Sequence, residues 1–405
     1  MKVLQINKSV NTGSTGRITE EIGQKLIDQG HNSYIAYSTL GSNGSSSNLI
    51  KIGNKIDVYM HGLKTRLFDL HGFGSKHVTR NLISKIDDIN PDVIGLHNLH
   101  GYYLNVEVLF NYLKKSKLPV IWTLFDCWAF TGHCTYFESI GCERWIDGCY
   151  ACPKKNSYPA SYGLDNSKNN YKNKRELFTG LDNLTIVTHS EWLRDLVKRS
   201  FLKEYPVKVI RSGVDLKTFD VNKDTPDRIK ELDKKVILGV ANLWNARKGL
   251  NTFLQLNNRL DDSYQIVLIG LSDKQKASLP ENVIGLSRTE NVEQLASYYK
   301  AADVFVNPTT ADNFPTTNLE ALACGTPVVT YNTGGSPEAV DEDTGSVVCK
   351  GNFNKLVKAI NSILEGDKTL YIQKCRERAE KLFNKEDRYQ DYLDLMLSVK
   401  NKSLV

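Results

Sequence analysis

Short apolar runs alternating with helix-period segments constrain this chain more than any other feature. Val3 to Ile6 reads as a buried strand, and Ile18, Ile22 and Leu26 then recur at the four-residue spacing of one helix face. Further strand-like runs follow at Ser33 to Ser38, Val93 to His97, Val120 to Leu124, Leu184 to Thr188 and Val207 to Ile210. Strand–helix repetition of this kind builds a parallel sheet covered on both faces. The rhythm restarts at Val236 to Val240 and continues through Gln265 to Ile269, Val304 to Asn307 and Pro327 to Tyr331. Two α/β domains are therefore expected. The polar segment Asp215 to Asp233, charged and interrupted by Pro226, follows the boundary, which is placed at 213/214. Near the end, Tyr389, Tyr392, Leu393, Met396 and Leu397 form one apolar helical stripe that needs a surface to cover it.

A chain of 405 residues with 40% hydrophobic and 24% charged residues has room for two cores and needs no disulfide scaffold. Its formal charge of +6 favours anionic partners without choosing among them. No apolar run approaches the roughly 18 residues of a membrane span. Met1 to Ile6 enters a strand directly and lacks a signal-peptide pattern, so the expected compartment is the cytoplasm. There, eight cysteines read as thiols or metal ligands rather than disulfides.

The most informative stretch is Val304 to Val340, which sets a strand, a loop with Asp312, a helix opening at Thr316 to Asn318, and an acid at Glu320. A helix start has unpaired N–H groups and partial positive charge, which suits a diphosphate. Pro315 cannot donate, so the amides of Thr316, Thr317 and Asn318 are the expected donors. Glu320 suits a ribose hydroxyl pair, although an acid there also simply complements the helix dipole. The turn after Val240 carries Asn242, Arg247 and Lys248. Cations are disfavoured at a helix start, which points to a bound anion that they serve. In the first half, Gly13, Ser14 and Gly16 open the first helix and allow close backbone approach to a ligand. His97, Asn98 and His100 follow one strand and Asp126 another, at the strand ends where open α/β sheets place ligands.

Cys134, Cys142, Cys149 and Cys152 form a Cys-x7-Cys-x6-Cys-x2-Cys series. Four thiolates complete a tetrahedral site, so structural zinc is the expected cofactor; an iron–sulfur cluster, free thiols or a redox pair are the alternatives. Two basic clusters, Lys64, Arg66, Lys76 and Arg80 among apolar residues and Lys114, Lys115 and Lys117, suit either solvated helix faces or an anionic membrane surface.

These motifs together resemble glycosyltransferase family 4 of the GT-B fold. Asp312 and Glu320 occupy the positions of the family's two acids, and Lys248 that of the lysine on the donor diphosphate. The chain departs from the family in three places. Asp312 replaces the usual glutamate; Asn242 and Leu243 stand where a Gly-Arg pair is common, so that either Arg247 supplies that charge or the phosphate is held with one cation fewer; and Phe125 replaces the histidine before Asp126. The resemblance implies two Rossmann-like domains facing across a cleft. Residues 1–213, with a cysteine-rich insertion at about 127–155, would bind the acceptor at Gly13, Ser14, Gly16, His97, Asn98 and Asp126. Residues 214–385 would bind a nucleotide-diphosphate sugar through Arg247, Asn242, Thr316, Thr317, Asn318 and Glu320, with Asp312 and Lys248 catalytic. Residues 386–405 would form a helix returning to the first domain. It further implies retaining transfer to a glycan or polyprenyl-linked glycan in cell-surface polysaccharide synthesis, with no catalytic metal. The enzyme would then be cytoplasmic and peripheral on the inner membrane face. A nucleotide-sugar epimerase of the same fold is the alternative. A zinc-containing nucleic-acid-binding protein is the rival from another class, disfavoured because the basic residues are dispersed; no nucleic acid is expected as a partner.

Overall fold

A computed structural model describes residues 1–402. The chain divides into two units, Met1–Ile210 with the segment from Tyr389 onward, and Arg211–Arg388. The crossings thus fall at 210/211 and 388/389, against 213/214 and 385/386 expected from sequence; of the expected last helix, residues 403–405 lie outside the described residues.

In the first unit, seven parallel strands run β1 (Lys2–Asn7), β2 (Asn32–Ser38), β3 (Asn48–Ile52), β4 (Val93–Leu96), β5 (Val120–Leu124), β6 (Leu184–Thr188) and β7 (Val207–Val209). Their spatial order is β3-β2-β1-β4-β5-β6-β7. Chain direction across the sheet therefore reverses between β1 and β4. Period-two alternation sorts the side chains into two cores. Leu4 and Ile6 of β1 and Trp122 of β5 join Phe110 and Phe178 on one face. Val3 and Ile121, on the other, meet Ile22, Leu26 and the stripe Tyr389, Tyr392, Leu393 and Met396 of the helix Lys385–Lys402.

In the second unit, six parallel strands run β8 (Lys235–Val240), β9 (Tyr264–Ile269), β10 (Val283–Leu286), β11 (Val304–Asn307), β12 (Val328–Asn332) and β13 (Gly345–Cys349), in the order β10-β9-β8-β11-β12-β13. Here the reversal lies between β8 and β11. Leu238, Phe305 and Val328 pack with Leu319, Leu322 and Phe383 on one face. Ile237, Val306 and Val329 pack with Phe253, Leu356 and Ile360 on the other.

The three strands not expected from sequence, β3, β10 and β13, are all sheet edges. An edge strand is half-solvated and needs no continuous apolar run; β3 buries only Ile52 fully.

Met396 is 1% exposed among Val3, Ile22 and Val187. Met396→Ala is expected to destabilise the first unit by about 2–5 kcal/mol. Urea unfolding followed by tryptophan fluorescence checks this, since Trp122, Trp128, Trp145 and Trp192 lie in that unit and only Trp244 in the other.

Candidate active site

Where crossovers diverge at a reversal of strand order, the loops beyond the strand C-termini part and leave a crevice. In the second unit that crevice lies beyond β8 and β11, and the loops from these strands carry the expected donor residues. After β8, Trp244 anchors the turn by donating Nε1–H to the Ile269 carbonyl at 2.9 Å. Asn245 then caps a single 3₁₀ turn, its Oδ1 accepting the Lys248 N–H at 3.1 Å. Gly249 follows at φ +81°, so close to β11's loop that a Cβ would stand 2.6 Å from the Pro308 carbonyl oxygen. The two loops are stitched together by the Thr310 N–H, which donates to the Arg247 carbonyl at 2.8 Å.

This geometry brings Lys248 and Asp312 into direct contact. Lys248 Nζ donates to Asp312 Oδ2 at 2.6 Å, and Arg247 Nη1 stands 3.4 Å from the same oxygen while also donating to the Ala311 carbonyl. The Asp312 side chain is 14% exposed. Burial alone would raise its carboxyl pKa, but Lys248 and then Arg247 more than offset that and hold it below the usual carboxylate value. The loop after β12 closes on Asp312 from behind. The Gly335 N–H donates to the Asp312 carbonyl at 3.2 Å, and a Cβ on Gly334, at φ +55°, would sit 1.6 Å from that oxygen. Only glycine fits there.

Beyond Pro315 the helix Thr316–Ala323 begins with no side-chain cap. Thr316 and Thr317 occupy its first turn, where backbone N–H groups have no intrahelical acceptor. Asn318 differs from expectation because it is engaged inside the protein. Its N–H donates to the Pro315 carbonyl at 3.1 Å, its Oδ1 accepts from Asn307 Nδ2 at 2.8 Å, and its Nδ2 donates to the Ser336 carbonyl at 3.3 Å. Asn318 therefore ties the ends of β11 and the β12 loop together. Glu320 accepts a hydrogen bond from the Tyr299 hydroxyl at 2.9 Å. Burial and the Glu320 charge push the Tyr299 phenol up, so it stays a donor. Tyr299, on the neighbouring helix Val292–Ala301, had no sequence signal, being one aromatic in a helical apolar pattern. Asn242 is exposed after β8.

The first unit holds an analogous crevice beyond β1 and β4. The β1 turn leads into the helix Gly13–Asp28, with Gly13 and Ser14 exposed, and Gly16 buried where a Cβ would lie 2.8 Å from Ser9 Oγ. His97 follows β4 and pairs its Nε2 with Gln5 Oε1 at 2.9 Å, while the Asn98 N–H donates to Asn7 Oδ1 at 3.2 Å. Burial holds His97 at about 3 and His189 at about 4, so both are neutral. Phe125 lies between them, with ring centroids 6.2 Å from His97 and 4.9 Å from His189. His100 bridges Asp126, 2.8 Å from its Nε2, and the Tyr158 hydroxyl, 3.1 Å from Nδ1. Asp126 also accepts the Trp128 N–H at 2.9 Å. His97, Asn98, His100, Phe125 and Asp126 line one cavity. His189 and Tyr158 were not singled out in sequence, because each joins the group only through folding.

The cysteine series lies beside this region. Cys134, Cys142, Cys149 and Cys152 line one cavity together with His133 and Trp145. A hydrogen bond between Cys134 and Cys152 pushes the Cys134 thiol up, with burial adding to it, and draws Cys152 down against its own burial. Among the described residues, no three His, Cys, Asp or Glu side chains stand at the spacing of a shared metal ion.

Known proteins agree with this architecture. The family "Glycosyl transferases group 1" matches residues 220–382, the span that holds Lys248, Asp312 and Glu320. A putative colanic acid biosynthesis glycosyl transferase, WcaC of Escherichia coli K12, is 26% identical over 375 residues, covering 88% of this chain and 90% of that protein. Among solved structures, sucrose-phosphate synthase of Thermosynechococcus elongatus superposes with a TM-score of 0.72 at 18% identity, over 98% of each chain. Anabaena HepE, solved in complex with UDP, superposes at 0.66 and 15% identity, over 98% of this chain and all of that one. The chain has the GT-B fold of these structures, and the part of it at 220–382 matches the group 1 glycosyltransferases.

Asp312→Asn is expected to cost about 1–2 kcal/mol at neutral pH, after allowance for the partly exposed cations. The sign of its pH dependence follows from the depressed carboxyl. The stabilisation is full above the ordinary value of 3.8 and is lost as pH falls through the lower folded value. The stability gap between wild type and Asp312→Asn, measured by denaturant titration at a series of pH values, should stay constant above about pH 5 and close below pH 3.8.

Proposed function

We propose that the protein is a retaining glycosyltransferase of family 4 type that moves a sugar from a nucleotide-diphosphate sugar to a glycan or polyprenyl-linked glycan in polysaccharide synthesis. The observation that carries this reading is the Lys248–Asp312 ion pair at the β8/β11 reversal, beside the uncapped helix start at Thr316. Lys248 and Arg247 supply the charge that a departing nucleoside diphosphate requires, and the amides of Thr316 and Thr317 supply donors for its oxygens. The cations take this load without a catalytic metal. Glu320, held by Tyr299, accepts from the ribose hydroxyl pair. In the transfer, the bond from the anomeric carbon to the diphosphate oxygen breaks and the electron pair leaves with the diphosphate. The acceptor hydroxyl oxygen bonds to that carbon on the same face, and its proton passes to a phosphate oxygen of the leaving group. Asp312 anchors the two cations and orients the donor sugar. The likeness to HepE, solved with UDP, makes a uridine nucleotide the first donor to try.

Titration calorimetry with UDP, GDP and ADP and their sugar conjugates tests the donor site. One nucleotide should bind selectively, and Glu320→Ala should weaken it about tenfold, or about 1.4 kcal/mol. Lys248→Ala should lower turnover more than binding, because the charge it balances grows in the transition state. Failure of every nucleotide to bind the folded protein overturns the reading. Donor consumption without added acceptor would instead favour an epimerase.

The acceptor class is supported by a second surface. Among the described residues no helix is long and apolar enough to cross a membrane. The helix Lys55–Phe68, however, exposes Tyr59 (67%), Leu63 (47%), Leu67 (45%) and Phe68 (48%), with exposed Lys55, Lys64 and Arg66 on the same helix. Apolar side chains bordered by free cations suit an anionic lipid surface, where a polyprenyl-linked acceptor would reside on the inner membrane face. Of the other basic residues, Lys76 pairs with Glu107 at 2.7 Å and Lys114 donates to the Glu176 carbonyl, so both are engaged elsewhere. The protein should sediment with vesicles rich in phosphatidylglycerol and not with pure phosphatidylcholine. Leu63→Glu with Leu67→Glu should abolish sedimentation while leaving nucleotide binding unchanged.

A further inference from the structure

We propose that Cys134, Cys142, Cys149 and Cys152 hold a structural zinc ion that fixes the loop lying over the His100–Asp126 region of the first unit. From Thr131 to Asn166 the chain contains only one three-residue 3₁₀ turn, Glu138–Ile140, and neither α-helix nor strand. Trp145 and Phe137 within it are nonetheless buried and stacked, with centroids 4.9 Å apart. A segment with so few backbone ladders needs a cross-link to stay ordered, and a tetrathiolate site supplies one.

Three features of the segment fit that ion. All four cysteines reach one cavity, and Cys134 and Cys152, eighteen residues apart, are in hydrogen-bond contact. The sulfurs already accept from the backbone, as metal-bound thiolates do. The Gly132 N–H donates to Cys149 Sγ at 3.2 Å, and the Lys154 N–H donates to the Cys152 sulfur. Two buried polar side chains also stand beside the sulfurs. Lys174 is 1% exposed, donates to the Trp128 and Thr131 carbonyls at 2.8 and 3.0 Å, and lies 3.5 Å from the Trp128 ring centroid, with no carboxylate bonded to its ammonium. His133, 2% exposed, lines the same cavity. Its Nδ1 pairs with Asp69 at 2.6 Å, while its Nε2 has no hydrogen-bond partner. Since no three of these side chains stand at the spacing of a shared ion, binding would draw the four thiols together. Each thiol gives its proton to solvent and its lone pair to zinc, and no sulfur is oxidised.

The full-length protein, purified without added metal, should carry one zinc per chain by elemental mass spectrometry. The partly exposed Cys142, Cys149 and Cys152 should resist alkylation until the protein is unfolded in chelator, with exposed Cys349 reacting from the start. Exchange with cobalt should give the near-ultraviolet thiolate charge-transfer band and the visible bands of a tetrahedral centre. Cys142→Ser should lose most of its zinc in a chelator challenge that leaves the wild type loaded. Should that variant fail to fold, the cobalt spectrum of the wild type decides alone. Zinc far below one equivalent together with no charge-transfer band overturns the proposal. So does a Cys134–Cys152 disulfide mapped in protein handled without reductant. Nucleotide binding by the second unit is independent of all these outcomes, so the donor-site reading and the zinc reading can fail separately.

Discussion

A parallel sheet cannot turn its crossovers both ways without opening a gap at the reversal, and the candidate site residues of each unit gather at that gap. Between β8 and β11 the loops diverge, and the space between them is spanned by charge rather than by packing: Lys248 from one loop meets Asp312 from the other at 2.6 Å. The surrounding structure keeps that contact in place. Gly249 lets one loop pass close to Pro308, Gly334 lets the β12 loop touch the Asp312 backbone, and the Thr310 N–H closes on Arg247. A side chain at either glycine would push the charged pair apart.

The positions at which this chain departs from the family it resembles gain meaning from the same contact. With aspartate instead of glutamate at 312, the carboxylate stays short, and it is Lys248 and Arg247 that extend to meet it. Arg247 brings a second positive charge to within 3.4 Å of the Asp312 carboxylate. In the first unit, Phe125 packs against two neutral histidines, His97 and His189, and His100 and Asp126 form the polar pair at that strand end. Burial keeps His97 and His189 uncharged, so they act as hydrogen-bonding groups and not as cations.

How much of this was legible beforehand follows from where each signal resides. Central strands were readable because both their faces are buried, which demands a continuous apolar run. The edges β3, β10 and β13 were not, since half-solvated strands tolerate mixed composition. Lys248, Asp312 and Glu320 stood out because charge at a strand end or helix start has few structural uses. Asn318 was read as a donor to ligand, yet its hydrogen-bonding groups are engaged by Pro315, Asn307 and Ser336, partners that spacing along the chain cannot supply. Tyr299 and Lys174 were invisible for the converse reason. One is an aromatic and the other a lysine in ordinary helical patterns, and only packing makes the first a partner of Glu320 and buries the second, whose pKa burial draws down to about 7.

By itself, then, the sequence determined the two parallel sheets, the approximate crossing between them and the residues able to carry charge to the strand ends, because hydrophobic period and helix-terminus chemistry are local properties. Tertiary structure alone decided which of those charges meet, which polar groups are already satisfied and which are left wanting a partner. Those outcomes depend on distances between loops far apart in the chain, and on a burial that changes the electrostatic worth of every group it encloses.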